Sequence, residues 1–311
     1  MKFSVVDGRI FNPGDLSWEG FRALAEVTVT NFETEPPLAA VIDCLQGSQG
    51  AMLRQRGVKR ELLEACRGLK FIGLTSTGYD QVDRGTLDYA ARHGVTICNI
   101  PAYGTPAVAQ HTFALLLELC NQVGHYDRAV KAGRWGESGD FCLWDRPMAE
   151  LWGKTMGIVG LGSIGQAVAA IAHGFGMKLL ADEQHKKPCA VPVEFVPREE
   201  LFALHCPLTE GSRQMIRAER IAGMKPGVLL LNTARGGLLN EADVARALET
   251  GQLGGLGVDV AATEPIPPDS PLLRAPNCII TPHVAWVPKE TRQRLLDFAV
   301  ENLRCYLAGR P

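Results

Sequence analysis

The segment GIVGLGSIGQAVA at 157–169 places Gly160-x-Gly162-x-x-Gly165 directly after an apolar β-like run and directly before a helical one. It predicts a strand, a tight turn and a helix that together hold a dinucleotide. Gly160 permits the turn, Gly162 lets the backbone approach a pyrophosphate, and Gly165 lets the helix pack close to the strand. Ser163 and Ile164 open the helix, whose positive end faces the phosphates. A lone glycine motif is often only a turn, but here an acidic pair, Asp182 and Glu183, ends the next apolar run. Glu183 lies 21 positions after Gly162, close to the spacing of about 20 at which a carboxylate accepts from the adenosine ribose. A carboxylate there repels a 2′-phosphate, so NAD is expected in preference to NADP. His185, Lys186 and Lys187 follow at once and could serve a phosphate or form a solvated loop.

The rest of the chain reads as two α/β series. In the first, FSVV (3–6), VTVT (27–30), AAVI (39–42) and FIGLTS (71–76) read as strands, with RELLEACRGL (60–69) as an amphipathic helix. Pro101 and Pro106 mark a crossing point, after which AVAQHTFALLLELCNQVGHYDRAVKAG (107–133) reads as one long apolar helix. The second series has six strand candidates: TMGIVG, MKLLA, LFALHCP, VLLLNTA, GGLGVDV and CIITP. That count suits a complete doubly wound parallel sheet. The last amphipathic stretch, KETRQRLLDFAVENLRCYLAG, has no strand beside it and is expected to pack back on the first domain. The expected fold class is therefore α/β, with two Rossmann-like domains. Residues 1–100 and 287–311 would form a discontinuous, flavodoxin-like substrate domain, and 101–286 the nucleotide domain.

Charge narrows the function. Lys plus Arg number 32 and Asp plus Glu 34, a net −2, so no broad basic field exists to gather nucleic acid or an anionic membrane. Nine scattered Cys, with no C-x-x-C pair and no Cys/His cluster, read as reduced thiols rather than disulfides or a metal site. The N-terminus turns polar after a few apolar positions, and no run approaches the roughly 20 apolar residues a membrane helix needs. A cytoplasmic enzyme with no membrane span and no metal is expected.

Three further fragments set polar groups just past strands of the second series, the edge where open α/β sheets bind ligands. They are LNTARGGLLNE with Arg235, GVDVAATEP with Asp259 and Glu264, and ITPHVAW with His283. Arg235 is a fork-shaped cation suited to a carboxylate, His283 a proton donor near neutral pH, and Glu264 a partner for the imidazole. Singly, each also reads as an ordinary surface ion pair, turn residue or core histidine. Together they suit work on a 2-oxo acid.

These fragments, with LTSTGYDQVD, NIPAYGTPAVAQHTFALLLEL, LHCPLTEGSRQMI and the glycine motif, resemble the D-isomer-specific 2-hydroxyacid dehydrogenases over most of the chain. Within that family the resemblance is to the glycerate dehydrogenase (hydroxypyruvate reductase) branch. It implies that Arg235 holds the carboxylate and keto oxygen, that His283 protonates that oxygen as hydride reaches C2, and that Glu264 keeps His283 charged. It also implies that Asp259 contacts the nicotinamide carboxamide and that Cys206, Pro207, Thr233 and Ala234 line the cofactor. Backbone groups of Thr77, Gly78 and Tyr79 would bind the substrate carboxylate from the other domain, with domain closure excluding water. A homodimer built on the nucleotide domain is implied, with the helix near 107–124 part of its surface.

Two departures stand out: Gln110 replaces a carboxylate usual in relatives, and the stretch between PREEL and LHCP is shorter than the resemblance leads one to expect. The second weakens Cys206 and Pro207 as cofactor contacts. STGYDQVD and GRWGESGDFCLWDRP resemble the glycerate dehydrogenases, which implies hydroxypyruvate/D-glycerate, with glyoxylate/glycolate beside it; Trp135 and Trp144 read as pocket, dimer or simple packing residues. Arg54, Arg56 and Lys59 could seat a phosphate and so serve a 3-phosphoglycerate substrate, or could lie on a solvated face. An NAD-sensing corepressor of the same fold is the alternative from another class. A formate dehydrogenase would carry Gln in place of Glu264, and a phosphite dehydrogenase fits the motifs but not the overall resemblance.

Overall fold

The computed structural model describes residues 1–182, 186–196 and 203–310. It divides into two compact units, Met1–Gly104 with Trp286–Pro311, and Thr105–Ala285.

The first unit is a five-stranded parallel sheet in the order β2-β1-β3-β4-β5, where β1 is Lys2–Val6, β2 Glu26–Thr30, β3 Gly50–Leu53, β4 Phe71–Leu74 and β5 Thr96–Cys98. Val5, Ala51, Met52 and Ile72 on its inner strands are fully buried, as strands covered on both faces must be. One face packs on Val41, Leu45, Leu62 and Leu63. The other packs on Leu295, Leu296, Ala299 and Leu303 of the helix Lys289–Leu307, so the chain's last helix completes the core of its first sheet. Arg292 on that helix is buried and grips Asp15 through two bonds of 2.7 Å, holding the Asp15 carboxyl below the usual carboxylate range.

One expected strand is a helix. AAVI lies inside Leu38–Leu45, which starts at an extended Pro37 and buries Val41 and Leu45, one helical turn apart. Gly47, at φ 76°, ends that segment in the left-handed region, and the strand follows as β3, GAML. The apolar run was real, but its spacing fits a helix as well as a strand, and the preceding prolines decide it.

The second unit is a seven-stranded parallel sheet, order β12-β11-β10-β9-β6-β7-β8. Its strands are β6 Thr155–Val159, β7 Lys178–Asp182, β8 Glu194–Val196, β9 Ala203–Leu204, β10 Val228–Asn232, β11 Leu253–Val258 and β12 Cys278–Ile280. This is the doubly wound nucleotide-binding order with an added edge strand, and its switch point lies between β6 and β9. The edge strand β8 is one more than the six expected. Residues 197–202, which include the short stretch before LHCP, lie outside the described residues.

The single helix expected over 107–133 is two, Thr105–Asn121 and Val123–Lys131, broken at Gln122 (φ 52°, ψ 36°). Gln122 donates through its amide to Leu119 O at 3.1 Å and to Asn277 Oδ1 at 3.4 Å, and the Glu118 carboxylate accepts from Gly124 N at 3.1 Å. Contacts far away in sequence thus hold the break. The first of these helices is apolar nearly all round and buries Phe113, Leu115, Leu116, Leu119 and Cys120 in the unit's own core.

Candidate active site

The glycine motif folds as a strand–turn–helix. Gly160, directly after β6, has φ 99°, and a Cβ there would stand 2.5 Å from His205 O. Only glycine satisfies both demands. At Gly165 a Cβ would meet Gly160 O at 2.1 Å, so the helix Ser163–Gly174 rests directly on the turn. Gly162 differs: nothing lies within 4 Å of its missing Cβ. It faces an open cradle, the shape a pyrophosphate requires. The first bond of the helix joins Gln166 N to Gly162 O at 2.9 Å, so the N–H groups of Ser163, Ile164 and Gly165 precede the helical ladder and suit an anion. These residues fit the diphosphate of a dinucleotide.

Asp182 ends β7 and is buried, while Glu183 and His185 lie outside the described residues. Lys186 sits over the Phe195 ring at 5.8 Å. Cys206 and Pro207 follow β9 at the same sheet edge; the Cys206 thiol lies 3.8 Å from Met215 Sδ, and Pro207 O accepts from Ser212 Oγ at 2.8 Å. Between them and the strand stands His205. Burial pushes its imidazole down to about 4, and its buried Nε2 has no partner among the described residues.

Past β10, Asn232 is fully buried and organises the next turn: its Oδ1 accepts from Ala234 N at 3.0 Å and its Nδ2 donates to Arg235 O at 2.9 Å. Thr233 is tied by its hydroxyl to Thr112 at 3.0 Å. Arg235 is half-buried and donates from Nη1 to Ala234 O at 2.8 Å. The residue after it, Gly236, would place a Cβ 1.9 Å from the carbonyl carbon of Ala261, so glycine alone lets the Arg235 turn press against the loop leading to Glu264.

Asp259, just beyond β11, is the hub of this edge. Although 1% exposed, its carboxylate accepts from Thr281 Oγ1 at 2.6 Å, Val284 N at 2.9 Å and Ala285 N at 2.8 Å, with His111 Nε2 at 3.5 Å. Three donors converge on this buried carboxylate, which fixes the loop that Val284 and Ala285 belong to. That loop carries His283, held at φ 57°, an uncommon conformation for a residue other than glycine. His283 Nδ1 lies 3.0 Å from Glu264 Oε2, and Glu264 Oε1 accepts from Ala261 N at 3.2 Å. Arg235, Asp259, Glu264 and His283 therefore stand at the ends of neighbouring strands of one sheet. His111, Asn232, Gly236 and Thr281 were not singled out in the sequence; only Gly236, in ARGG, carried a local signal.

In the first unit the turn after β4 is pinned: Thr77 Oγ1 donates to Ile100 O at 2.7 Å, Asn99 Nδ2 to Thr77 O at 2.7 Å, and Ser76 Oγ to Gly78 O at 2.6 Å. Tyr79 projects from it, 56% exposed. Among the described residues no group of His, Cys, Asp and Glu is arranged to hold a metal ion, and none of the nine cysteines is in a disulfide.

Residues 113–285 match the family described as D-isomer specific 2-hydroxyacid dehydrogenase, NAD binding domain. The chain is 43% identical to a hydroxypyruvate reductase of Blautia hydrogenotrophica, over 100% of this chain and 98% of that protein. It is 38% identical to a glycerate dehydrogenase of Methylorubrum extorquens, over 87% and 86% of the two. Among solved structures, the TT0316 protein of Thermus thermophilus superposes with a TM-score of 0.83 at 34% identity, covering 100% of this chain and 98% of that one. The strand-end arrangement and these likenesses agree: the chain belongs to the D-isomer specific 2-hydroxyacid dehydrogenases, and NAD is the cofactor of its second unit.

Proposed function

We propose that this dehydrogenase reduces hydroxypyruvate to D-glycerate, with reduction of glyoxylate to glycolate as a side activity. The observation that carries the mechanism is the 3.0 Å pair between His283 Nδ1 and Glu264 Oε2 on a loop fixed by Asp259. With Nδ1 engaged, Nε2 is the ring atom available to donate. When bound, NADH supplies hydride to C2. His283 gives the proton to the substrate's carbonyl oxygen, and Glu264 balances the positive charge that the imidazole carries beforehand. Arg235 holds the carboxylate and keto oxygen as a fork, and the backbone of Thr77, Gly78 and Tyr79 binds the carboxylate as well. Gly162 and the N–H groups of Ser163, Ile164 and Gly165 receive the pyrophosphate, Asp182 the ribose, and Cys206, Pro207, Thr233 and Ala234 line the nicotinamide half. Asp259 takes the carboxamide N–H in addition to fixing the His283 loop. The Asp182 carboxylate is the ground for NADH over NADPH.

The relatives named above support the substrate. Exposed apolar residues support a homodimer: Trp135, Phe141, Trp144, Met148 and Trp152 lie in one stretch of the second unit, Trp144 and Trp152 each 74% exposed. Large apolar side chains left this exposed are the kind a partner surface covers, and a second copy of this chain is the proposed cover. Nine free thiols fit a reducing, cytoplasmic setting. No helix among the described residues is long and apolar enough to cross a membrane.

The test is nicotinamide oxidation followed by absorbance, with NADH and NADPH against hydroxypyruvate, glyoxylate, pyruvate, 2-oxoglutarate and 3-phosphohydroxypyruvate. The expected result is highest kcat/KM with NADH and hydroxypyruvate. Preference for another acid would move the substrate and keep the mechanism, whereas cofactor binding without turnover on any acid would favour an NAD-sensing role.

A further inference from the structure

The loop that carries His283 begins at Thr281, directly after β12. Its main chain is framed by Thr281 N donating to Val258 O at 2.9 Å and His283 N donating to Thr281 O at 3.0 Å. The Thr281 hydroxyl lies 2.6 Å from Asp259 Oδ1 and 3.4 Å from Val258 O. A hydroxyl has one proton, and the short contact to a carboxylate takes it. Toward any further partner Thr281 Oγ1 can then only accept. That partner is His111, whose Nε2 stands 2.9 Å from Thr281 Oγ1 and 3.5 Å from Asp259 Oδ1. The His111 ring must therefore carry a proton on Nε2, and the bonds form a directed chain from His111 through Thr281 to Asp259. Asp259 in turn holds Val284 N and Ala285 N, on the far side of His283.

His111 reaches this loop from far away in the sequence. It sits on the helix Thr105–Asn121, 170 residues before Thr281. The next residue, Thr112, bonds Thr233 in the turn that leads to Arg235. Neighbouring positions of one helix thus brace the ends of two strands, β12 through His111 and β10 through Thr112. Most buried positions of this helix are apolar, so packing alone does not call for an imidazole at 111.

We propose that His111 is a positioning residue for the proton transfer: by donating to Thr281 it aims that hydroxyl at Asp259 and so fixes the loop on which His283 stands. This rests on the reading of His283 as the proton donor. His111 acts through Thr281 and Asp259 and keeps its own Nε2 proton throughout. Without that donor the Thr281 hydroxyl can turn toward Val258 O, and the loop loosens at its first residue while Val284 and Ala285 still hold its other end. The cost falls on the rate of the chemical step, because a proton donor works only over a narrow range of distance. Substrate binding is spared, since Arg235 is braced separately by Asn232.

The experiment measures kcat, KM for the preferred acid and melting temperature in His111→Gln, His111→Leu and Thr281→Val, and repeats His111→Leu in the His283→Ala background. Gln keeps an N–H at about the reach of Nε2, whereas Leu keeps bulk and offers no donor. His111→Leu is expected to lower kcat about tenfold, the size of one lost hydrogen bond, with KM within about twofold of wild type. His111→Gln should recover most of that loss and stay within about threefold of wild type. Thr281→Val should lose at least as much as His111→Leu, and adding His111→Leu to it should cost little more. In the His283→Ala background His111→Leu should change the residual rate by less than about twofold, because the group it positions is gone. An unchanged kcat in His111→Leu, equal losses in His111→Gln and His111→Leu, a loss carried by KM, or a further tenfold loss on top of His283→Ala would overturn the inference. Full turnover in His283→Ala alone would instead overturn the proton-donor reading and this inference with it.

Discussion

The two sheets of this protein present their carboxyl edges by different means. In the second unit the edge is set by main chain. Asp259 gathers the Val284 and Ala285 N–H groups, Asn232 braces the Arg235 turn, and Gly160, Gly165 and Gly236 allow backbone to touch backbone. In the first unit the edge is set by long side chains, Arg54, Arg56, Glu35 and Gln81, that reach one another across loops. Backbone-built sites fix an atom to a fraction of an ångström, which a hydride and proton transfer needs. Side-chain-built edges can be re-paired by single substitutions, so they tolerate change more readily. The chemistry should therefore fail sharply when the second edge is altered, and change little when single pairs of the first are.

The sharpest break is at the acid. His283→Ala should lower turnover by about 10² to 10⁴ while NADH still binds, measured by stopped-flow and by nicotinamide fluorescence. Arg235→Lys should lose most activity despite keeping its charge, because the planar fork is gone. Next comes the loop anchor. Asp259→Asn weakens the bonds that hold Val284 and Ala285, and kcat is expected to fall about 10²-fold from misplacement of His283. A variant with normal kcat would show that the loop keeps its place without the charge.

The glycine motif allows a finer contrast. Gly160→Ala must accept both φ 99° and a 2.5 Å approach to His205 O, so it should lose roughly 2 kcal/mol or more of stability. Gly162→Ala has room for its methyl and should melt near wild type, yet bind NADH more weakly because the methyl enters the cradle. Equal melting temperatures for the two variants would break the distinction.

The smallest expected effect is a pH slope. The folded protein holds His205 at about 4 against an ordinary 6.5, through burial. Between those values the unfolded chain binds the proton and the folded one does not. The stability that the neutral imidazole contributes is full above about pH 6.5 and is lost as pH falls toward 4. Urea unfolding at several pH values in wild type and His205→Gln should show a shallower dependence in the variant over this window.

What the sequence disclosed follows the same division. GIVGLGSIGQAVA, Arg235, Glu264 and His283 were legible because local backbone demands leave residues of fixed type at fixed spacing. The Asp7–Arg54 pair spans 47 residues and shows no periodicity, so nothing local announces it. AAVI reads as a strand although it is helical, because a four-residue apolar run fits two periods, and the break at Gln122 has little local signal because it is held partly by Asn277, far along the chain. Strands β3 and β8 are four and three residues long, below the length at which alternation can be seen. The fold class was fixed by the order of elements, which such errors do not disturb.

The helix Lys289–Leu307 also has a consequence for the order in which the protein is made. Phe3, Val5 and Phe71 of the first sheet share a core with Leu295, Leu296 and Leu303. The second unit, inserted between Gly104 and Trp286, is wholly synthesised before those partners leave the ribosome. The guest therefore completes its chain before its host, and although Phe11 and Phe21 already lie on that face, the part covered by Lys289–Leu307 stays open until this helix emerges, a window in which a chaperone would find apolar strands to hold.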